Sequence, residues 1–360
     1  MYLGIIKFVL GVKLLNMKSK VTVTCPSNIA LIKYWGKKNT GIQIPQNPSI
    51  SWSLSDLNAK TTVQYRPGDI RQINFSYDGL VKESFLPKIN EFFNRIEEIL
   101  PWVKNGIFNI DTVNNFPHGT GIASSAAGFG ALATALVELE NKLNKDTDEY
   151  WNKVSEIARL GSGSACRSMY SKPAIWGASE AIHDSSDYYA VELKDTIHPS
   201  LQNWKDCVLI IDSGEKKVSS TVGHSLLNGH AYAEARFLQA NKNLIELIQV
   251  LQNGNVDRFI KIVESEALQL HSMMMSSIPY YMLMRPNTVA VIEEIWNFRE
   301  VTKLPLCFTL DAGANVHLLY DKEVESSIKT FIDTKLLPYC QNATYLCSGI
   351  GGKPQIEHHD

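Results

Sequence analysis

The run SAAGFGALATALVELENKL, residues 125–143, limits what this chain can fold into more than any other segment. Its Ala and Leu favour a helix, and its small side chains let that helix lie close against a sheet. The chain enters it through PHGTGIASSAAG, residues 117–128, which sets Gly119, Gly121, Ala123, Ser124 and Ser125 where an extended segment becomes helical. A helix N-terminus has amide donors without intrahelical partners and the positive end of the macrodipole, and glycine lets a phosphate approach the backbone. The two serine hydroxyls add contacts to a phosphate or to a phosphate-bound cation. Taken alone, the same pattern also fits a Ser-capped helix packed through its alanines. No Gly-x-x-x-x-Gly-Lys-Ser/Thr motif is present, and GGKP at residues 351–354 lacks that spacing.

With 360 residues the chain exceeds the usual size of one domain, so two are expected, residues 1–204 and 205–360. Alternation in KSKVTVTC and KTTVQYR reads as strands, RPGDIRQINFSYDG as a hairpin or turn, and KINEFFNRIEEILPW as a helix ending near Pro101. Strand NGIFNIDTVNNF precedes the small-residue helix, and helix DEYWNKVSEIARL follows it. After Trp204 come strand DCVLIID, helical periodicity over 221–251 and 257–270, and a helix opened by Pro286. Strands LCFTL and VHLLY then flank a DAGAN turn, before helix EVESSIKTFIDTKL and strand ATYLC. Neither half is a regular βαβ wheel, so the class is α+β.

A net charge of −2 gives no whole-molecule attraction for nucleic acid or anionic lipid, so an anionic ligand must be held by a local cluster. The six cysteines are scattered, without a CxxC pair, and read as buried reduced thiols in a reducing cytosol. The apolar start, MYLGIIKFVLGVKLLN, is too short to span a bilayer and is broken by Lys7, Gly11 and Lys13. It reads as a sixteen-residue extension ahead of a start at Met17.

Three further segments carry chemistry. PSNIALIKYWGKK, residues 26–38, concentrates Lys33, Lys37 and Lys38 beside Tyr34 and Trp35, with Asn28 able to donate or accept. IARLGSGSACR, residues 157–167, follows a Gly-Ser loop with Arg167, whose planar guanidinium can grip a carboxylate through two parallel hydrogen bonds. TLDAGAN, residues 309–315, ends an apolar strand on Asp311 before a glycine turn, a place where Asp commonly organises its own turn.

PHGTGIASSA resembles the phosphate loop Pro-x-x-x-Gly-Leu-x-Ser-Ser-Ala of the galactokinase, homoserine kinase, mevalonate kinase and phosphomevalonate kinase (GHMP) superfamily, with Ile122 for Leu. NIALIKYWGK is similar to the opening signature of the diphosphomevalonate decarboxylases. IARLGSGSACR resembles their substrate loop, and TLDAGAN their catalytic Asp loop, with Leu310 for Phe and Ala314 for Pro. KVSST at 217–221 and PQNPSISWSL at 45–54 correspond less closely: His224 stands where Met is common, Pro48 for Ser, and Trp52 for a smaller residue.

That resemblance implies a two-domain GHMP kinase-like fold, a ribosomal protein S5 domain 2-like N-terminal domain with a ferredoxin-like C-terminal one. It implies ATP and Mg2+ as cofactors and ATP-dependent decarboxylation of mevalonate 5-diphosphate to isopentenyl diphosphate. Asp311 is implied as general base, Arg167 as carboxylate clamp, and Lys33 as their neighbour. Asn28, Tyr34, Lys37, Ser162, Ser164 and Ser220 are implied to bind substrate, and Gly119, Gly121, Ala123, Ser124 and Ser125 the ATP phosphates. Metal ligands are not assigned. A cytoplasmic homodimer is expected, with no membrane or nucleic-acid partner. The rival readings are a mevalonate 5-phosphate decarboxylase, a 3-kinase, and a catalytically silent metabolite-binding relative.

Overall fold

The computed structural model describes residues 19–39, 41–117, 122–140, 143–214 and 220–359, so the expected N-terminal extension lies outside the described residues. The first half opens with β1 (Ser19–Ile32), a small ribbon of β2 (Lys37–Asn39) and β3 (Ile44–Pro45), and the long β4 (Ser49–Arg66). The hairpin expected after β4 forms as β5 (Gln72–Tyr77) and β6 (Leu80–Val81), turning through Asp78 and Gly79. Helix α1 (Leu86–Ile96), strand β7 (Ile107–Asn114), and helices α2 (Ser124–Glu140) and α3 (Asp148–Gly161) follow, then short strands β8 (Ala174–Trp176) and β9 (Ala190–Glu192). Thr147 caps α3, its side chain accepting from the Tyr150 amide.

The second half begins with β10 (Trp204–Leu209), then α4 (Ser220–Ser225), α5 (Ala233–Asn253), α6 (Val256–Met275) and α7 (Pro286–Thr302). Strands β11 (Leu306–Leu310) and β12 (Val316–Asp321) flank the Asp311 turn, and α8 (Glu325–Phe331), β13 (Tyr345–Gly349) and β14 (Gln355–His359) complete the chain. The periodicity over 221–251 is not one helix. It breaks between α4 and α5, where Gly229 takes a φ of 74° and ends the first turn.

Two sheets result. The first runs β14-β1-β4-β7-β5-β6, with β8 on β4 and β9 on β8, antiparallel except for the β5–β7 pair. The second is antiparallel, in the order β11-β12-β10-β13. Strand β14 pairs with β1, so the last strand of the second half is a strand of the first sheet. One cysteine expectation is corrected. Cys207 and Cys347 stand directly opposite in β10 and β13, Cα atoms 4.0 Å apart, and form a disulfide. Their separation of 140 residues hides this pairing from any local reading. Cys25, Cys166, Cys307 and Cys340 are free and buried.

Helix α2 is buried on nearly every face, which is why it needs small residues. A Cβ added at Gly130 would stand 2.6 Å from the Cys25 sulfur of β1. Across the sheet, β1 and β4 change allegiance at a bulge between Pro26 and Ser27. Val21, Val23 and Val63 face the core under α1–α3, whereas Ile29, Leu31, Ile50 and Trp52 face a second core shared with α5 and α6. There Trp52 stacks on Phe259 at 5.4 Å, and Trp204 meets the same ring edge-on at 4.8 Å. Trp52, a departure from the family pattern, is thus a packing residue where the two halves join. Trp52→Ala is expected to lower stability by about 3–5 kcal/mol in urea unfolding; a loss below about 1 kcal/mol would show that the indole does not hold this junction.

Candidate active site

A cleft of about 830 Å³ opens between the halves, lined by residues of all four sequence motifs. Its floor is the start of α2. Ser27 donates to the Ile122 carbonyl at 2.5 Å, and Ala123 takes a φ of 44°, turning the chain into the helix. Ser124 and Ser125 line the cleft, while Gly119 and Gly121 lie outside the described residues. Lys88 of α1 donates to the Ser125 hydroxyl at 2.7 Å. No motif flags Lys88; only the packing of α1 beside α2 brings it there. Beyond it the cleft becomes apolar, with Phe75 and Tyr77 both stacked on Phe85.

The end of β1 supplies the next wall. Past the bulge, the even positions Asn28 and Ala30 turn to the cleft. The Asn28 amide donates to the Ser168 hydroxyl at 2.8 Å and the Ser164 carbonyl at 3.1 Å, leaving its oxygen for a ligand. The Tyr34 hydroxyl is buried with no hydrogen-bond partner among the described residues, its ring set edge-on to Trp176 at 4.6 Å. Lys37 lines the same wall, and burial, with Arg95 and Lys88 nearby, pulls its ammonium down to about 8.

After α3 the chain forms a tight 3-10 segment, Gly163–Met169. Ser162 and Ser164 line the cleft, and a Cβ at Gly163 would come within 2.9 Å of both Tyr34 and Trp176, so glycine is required there. Arg167 is 2% exposed. Its Nε and one terminal nitrogen donate to Ser51 and Ser49 at 2.6 Å each. The SISWSL alternation of β4 explains this seat: Ser49 and Ser51 face the cleft side, Ile50 and Trp52 the shared core. No carboxylate lies within ion-pair distance of Arg167 among the described residues, so the rest of its guanidinium is free toward the cleft.

Asp311 follows β11, and its carboxylate stands 3.5 Å from the Lys33 ammonium. Lys33 is 2% exposed on its side chain and has no other side-chain partner among the described residues. Burial pushes its ammonium down, Asp311 and then Glu266 push it back up, and Arg167 adds to the lowering. The Gly313 amide closes the Asp311 turn at 2.7 Å, and Asn315 anchors it by accepting from the Ile211 and Asp212 amides. His271 of α6 meets the Asp311 carbonyl at 3.0 Å. His224 of α4 lies against Tyr34 and Trp35, ring centroids 4.3 and 4.5 Å away, and its Nδ1 accepts from the Gly36 amide. Ser220 opens α4; its side chain, like the 215–219 segment, lies outside the described residues.

The family model described as "Diphosphomevalonate decarboxylase-like N-terminal domain" matches residues 25–188, and "Mevalonate 5-diphosphate decarboxylase C-terminal domain" matches 207–355. The chain belongs to the diphosphomevalonate decarboxylase family. It is 31% identical to the diphosphomevalonate decarboxylase of Saccharomyces cerevisiae over 86% of this chain and 80% of that protein. Its fold is similar to the mevalonate diphosphate decarboxylase of Staphylococcus aureus, with a TM-score of 0.82 and 29% identity over 96% of this chain and 99% of the other. A solved structure titled "MDDEF in complex with MVAPP, AMPPCP and Magnesium" is similar at a TM-score of 0.82 and 25% identity, covering 95% of this chain and all of that one (100%). Two departures from the family's motifs are accommodated by packing: Leu310 is fully buried in the core of the second sheet, and His224 keeps an aromatic contact with Tyr34 and Trp35.

Both histidines are held neutral by burial, His271 down to about 4 and His224 well below its ordinary value of 6.5. Well above pH 6.5 each ring is neutral, folded or unfolded. Between pH 6.5 and about 4 the unfolded chain takes up a proton that native His271 refuses, so stability is lost across that window. The loss for His271 is on the order of 3 kcal/mol. Denaturant unfolding of wild type and His271→Gln at pH 7 and 4.5 checks this: the variant is expected to lose less stability over that interval. Equal losses would mean that His271 is not held neutral.

Proposed function

We propose that this chain decarboxylates mevalonate 5-diphosphate with ATP, yielding isopentenyl diphosphate, carbon dioxide, ADP and phosphate. The observation that carries this reading is Arg167, a buried guanidinium with free donors lining the same cleft as the Lys33–Asp311 pair. A phosphorylating enzyme needs a base and phosphate contacts. A decarboxylase also needs a fixed cation for the departing carboxylate.

Asp311 takes the proton of the tertiary C3 hydroxyl as its oxygen attacks the γ-phosphorus, a task worth about 10²–10⁴-fold in rate. Phosphoryl transfer otherwise depends on positioning and charge neutralisation, which the α2 N-terminus with Ala123, Ser124 and Ser125, and Lys88 beside it, supply. The C3–O bond then breaks and phosphate leaves. The C1–C2 bonding pair becomes the new C2–C3 double bond, and carbon dioxide departs. Arg167 holds the carboxylate so that the bond to C1 lines up with the emptying orbital at C3. Lys33, 3.5 Å from the Asp311 carboxylate, helps place the reacting groups and steadies the developing charge. Asn28, Tyr34, Lys37, Ser162, Ser164 and Ser220 bind substrate, chiefly its diphosphate, with Gly119 and Gly121 on the nucleotide phosphates. The apolar end at Phe75 and Phe85 suits the nucleotide base.

Magnesium neutralises phosphate charge when bound. Among the described residues no three His, Cys, Asp or Glu side chains converge on a metal. An ion carried in on nucleotide phosphates needs few protein oxygens, and the Ser124 and Ser125 hydroxyls fit that need. The working units are residues 1–204 and 205–360, the latter lending β14 to the former. A homodimer remains the proposed assembly, and the cytoplasm, where ATP is supplied, the proposed location.

Purified protein with magnesium-ATP and mevalonate 5-diphosphate is expected to release ADP, phosphate, carbon dioxide and isopentenyl diphosphate in equal amounts. ADP with a stable phosphorylated acid would instead mean a 3-kinase, and turnover of only the 5-monophosphate a different substrate. Asp311→Asn is expected to cut kcat by at least about 10²-fold with ATP still bound. Arg167→Met is expected to cut carbon dioxide release comparably; unchanged release would remove the clamp. Because Lys37 loses its proton near pH 8, kcat/KM for the diphosphate is expected to fall above that pH, and Lys37→Arg to extend the plateau. A pH profile identical in both proteins would take Lys37 out of the substrate site.

A further inference from the structure

We propose that α6 sets the distance between Lys33 and Asp311, with Glu266 and His271 as positioning residues for the reaction proposed above. Lys33 directly follows β1 in the first half of the chain, whereas Asp311 follows β11 in the second. Their charges meet over 3.5 Å with no covalent connection nearby. Both are tied instead to one helix.

At one tie, the Lys33 backbone amide donates to Glu266 Oε2 at 2.9 Å. Glu266 is fully buried, and its other bonds come from Arg236 at 3.1 and 2.6 Å and from Asn243 at 2.6 Å. Each carboxylate oxygen therefore accepts two donors, and the group cannot turn without breaking one. Arg236 and Asn243 belong to α5, so the tie runs from α5 through α6 to the end of β1. At the other tie, His271 Nε2 stands 3.0 Å from the Asp311 carbonyl oxygen. A carbonyl only accepts, so Nε2 carries the hydrogen, and the buried ring stays neutral.

Glu266 and His271 are five positions apart, which is about 7.5 Å of rise and about 140° of rotation on a helix. They reach opposite ways, one to β1 and one to the Asp311 turn. A rigid helix holds that span far better than the two loops that carry Lys33 and Asp311. Neither residue lines the cleft. They act through the backbone of the two that do.

This inference rests on the decarboxylase reading, so wild-type turnover is measured alongside. The test is His271→Leu against His271→Gln in the full chain, with magnesium-ATP and mevalonate 5-diphosphate. Gln can place an amide N–H where Nε2–H stood; Leu cannot. The expected result is a kcat for the Leu variant at least about 10-fold down, since misplacement near 1 Å can cost roughly 10²-fold. KM for both substrates should stay within about threefold, and the Gln variant should recover most of the rate. Glu266→Gln, which keeps the shape without the charge, is expected to show the same fall in kcat at steady KM. Wild-type-like kcat in the Leu variant, equal loss in Leu and Gln, or KM rising in step with the fall would each overturn the positioning role. No turnover by wild type would instead remove the decarboxylase reading itself.

Discussion

Two cations buried side by side, only one of them matched by a carboxylate, are the constraint on which this structure turns. Lys33 and Arg167 are both nearly inaccessible, and of the two only Lys33 has a carboxylate within reach among the described residues. Taking a cation out of water is costly unless neighbouring groups replace its hydration. For Arg167 the replacement is the pair of β4 serines; for Lys33 it is Asp311, with Glu266 behind. Lys37 and Lys88 bring further positive charge to the same cleft. His224 and His271 stay neutral, and among the described residues the Tyr34 hydroxyl has no hydrogen-bond partner. The net effect is a cleft poised for an anion carrying both a carboxylate and phosphates.

Such a site cannot belong to one half of the chain. Asp311 comes from the second half and Lys33 and Arg167 from the first, so the geometry of the cleft depends on how firmly the halves are joined. Two kinds of contact do this. Trp52, Trp204 and Phe259 share one apolar core across the junction, and the return of β14 to β1 ties the end of the chain to its beginning. The polar network through Glu266 adds direction to that adhesion. Apolar packing resists separation, but hydrogen bonds of fixed geometry set register.

Much of this was legible in the sequence because it is local. The small-residue run predicts a helix pressed on a sheet, and α2 lies so close to β1 that Gly130 has no room for a side chain. Strand β4, the hairpin of β5 and β6, α3 and the Asp311 turn follow from alternation, caps and turn residues. Where the reading fails, something distant intervenes. The periodicity over 221–251 hid the break at Gly229. Strand β14 depends on a partner more than 300 positions away in the chain, and the Cys207–Cys347 bond on a register between strands.

By itself the sequence determined the inventory: a Gly- and Ser-rich helix start, a lysine-rich segment, an arginine after a Gly-Ser loop, an Asp on a turn, and the family that combines them. These are short-range patterns, written in consecutive residues whose chemistry does not wait for the fold. Only the tertiary structure decided which groups meet. It set Ser49 and Ser51 against Arg167, brought Lys88 to Ser125, and made Glu266 and His271 the two ends of a strut between Lys33 and Asp311. Those contacts join residues separated by tens to hundreds of positions. Their geometry comes from the bulge in β1, the twist of two sheets and the seating of α6, none of which any single stretch of sequence contains.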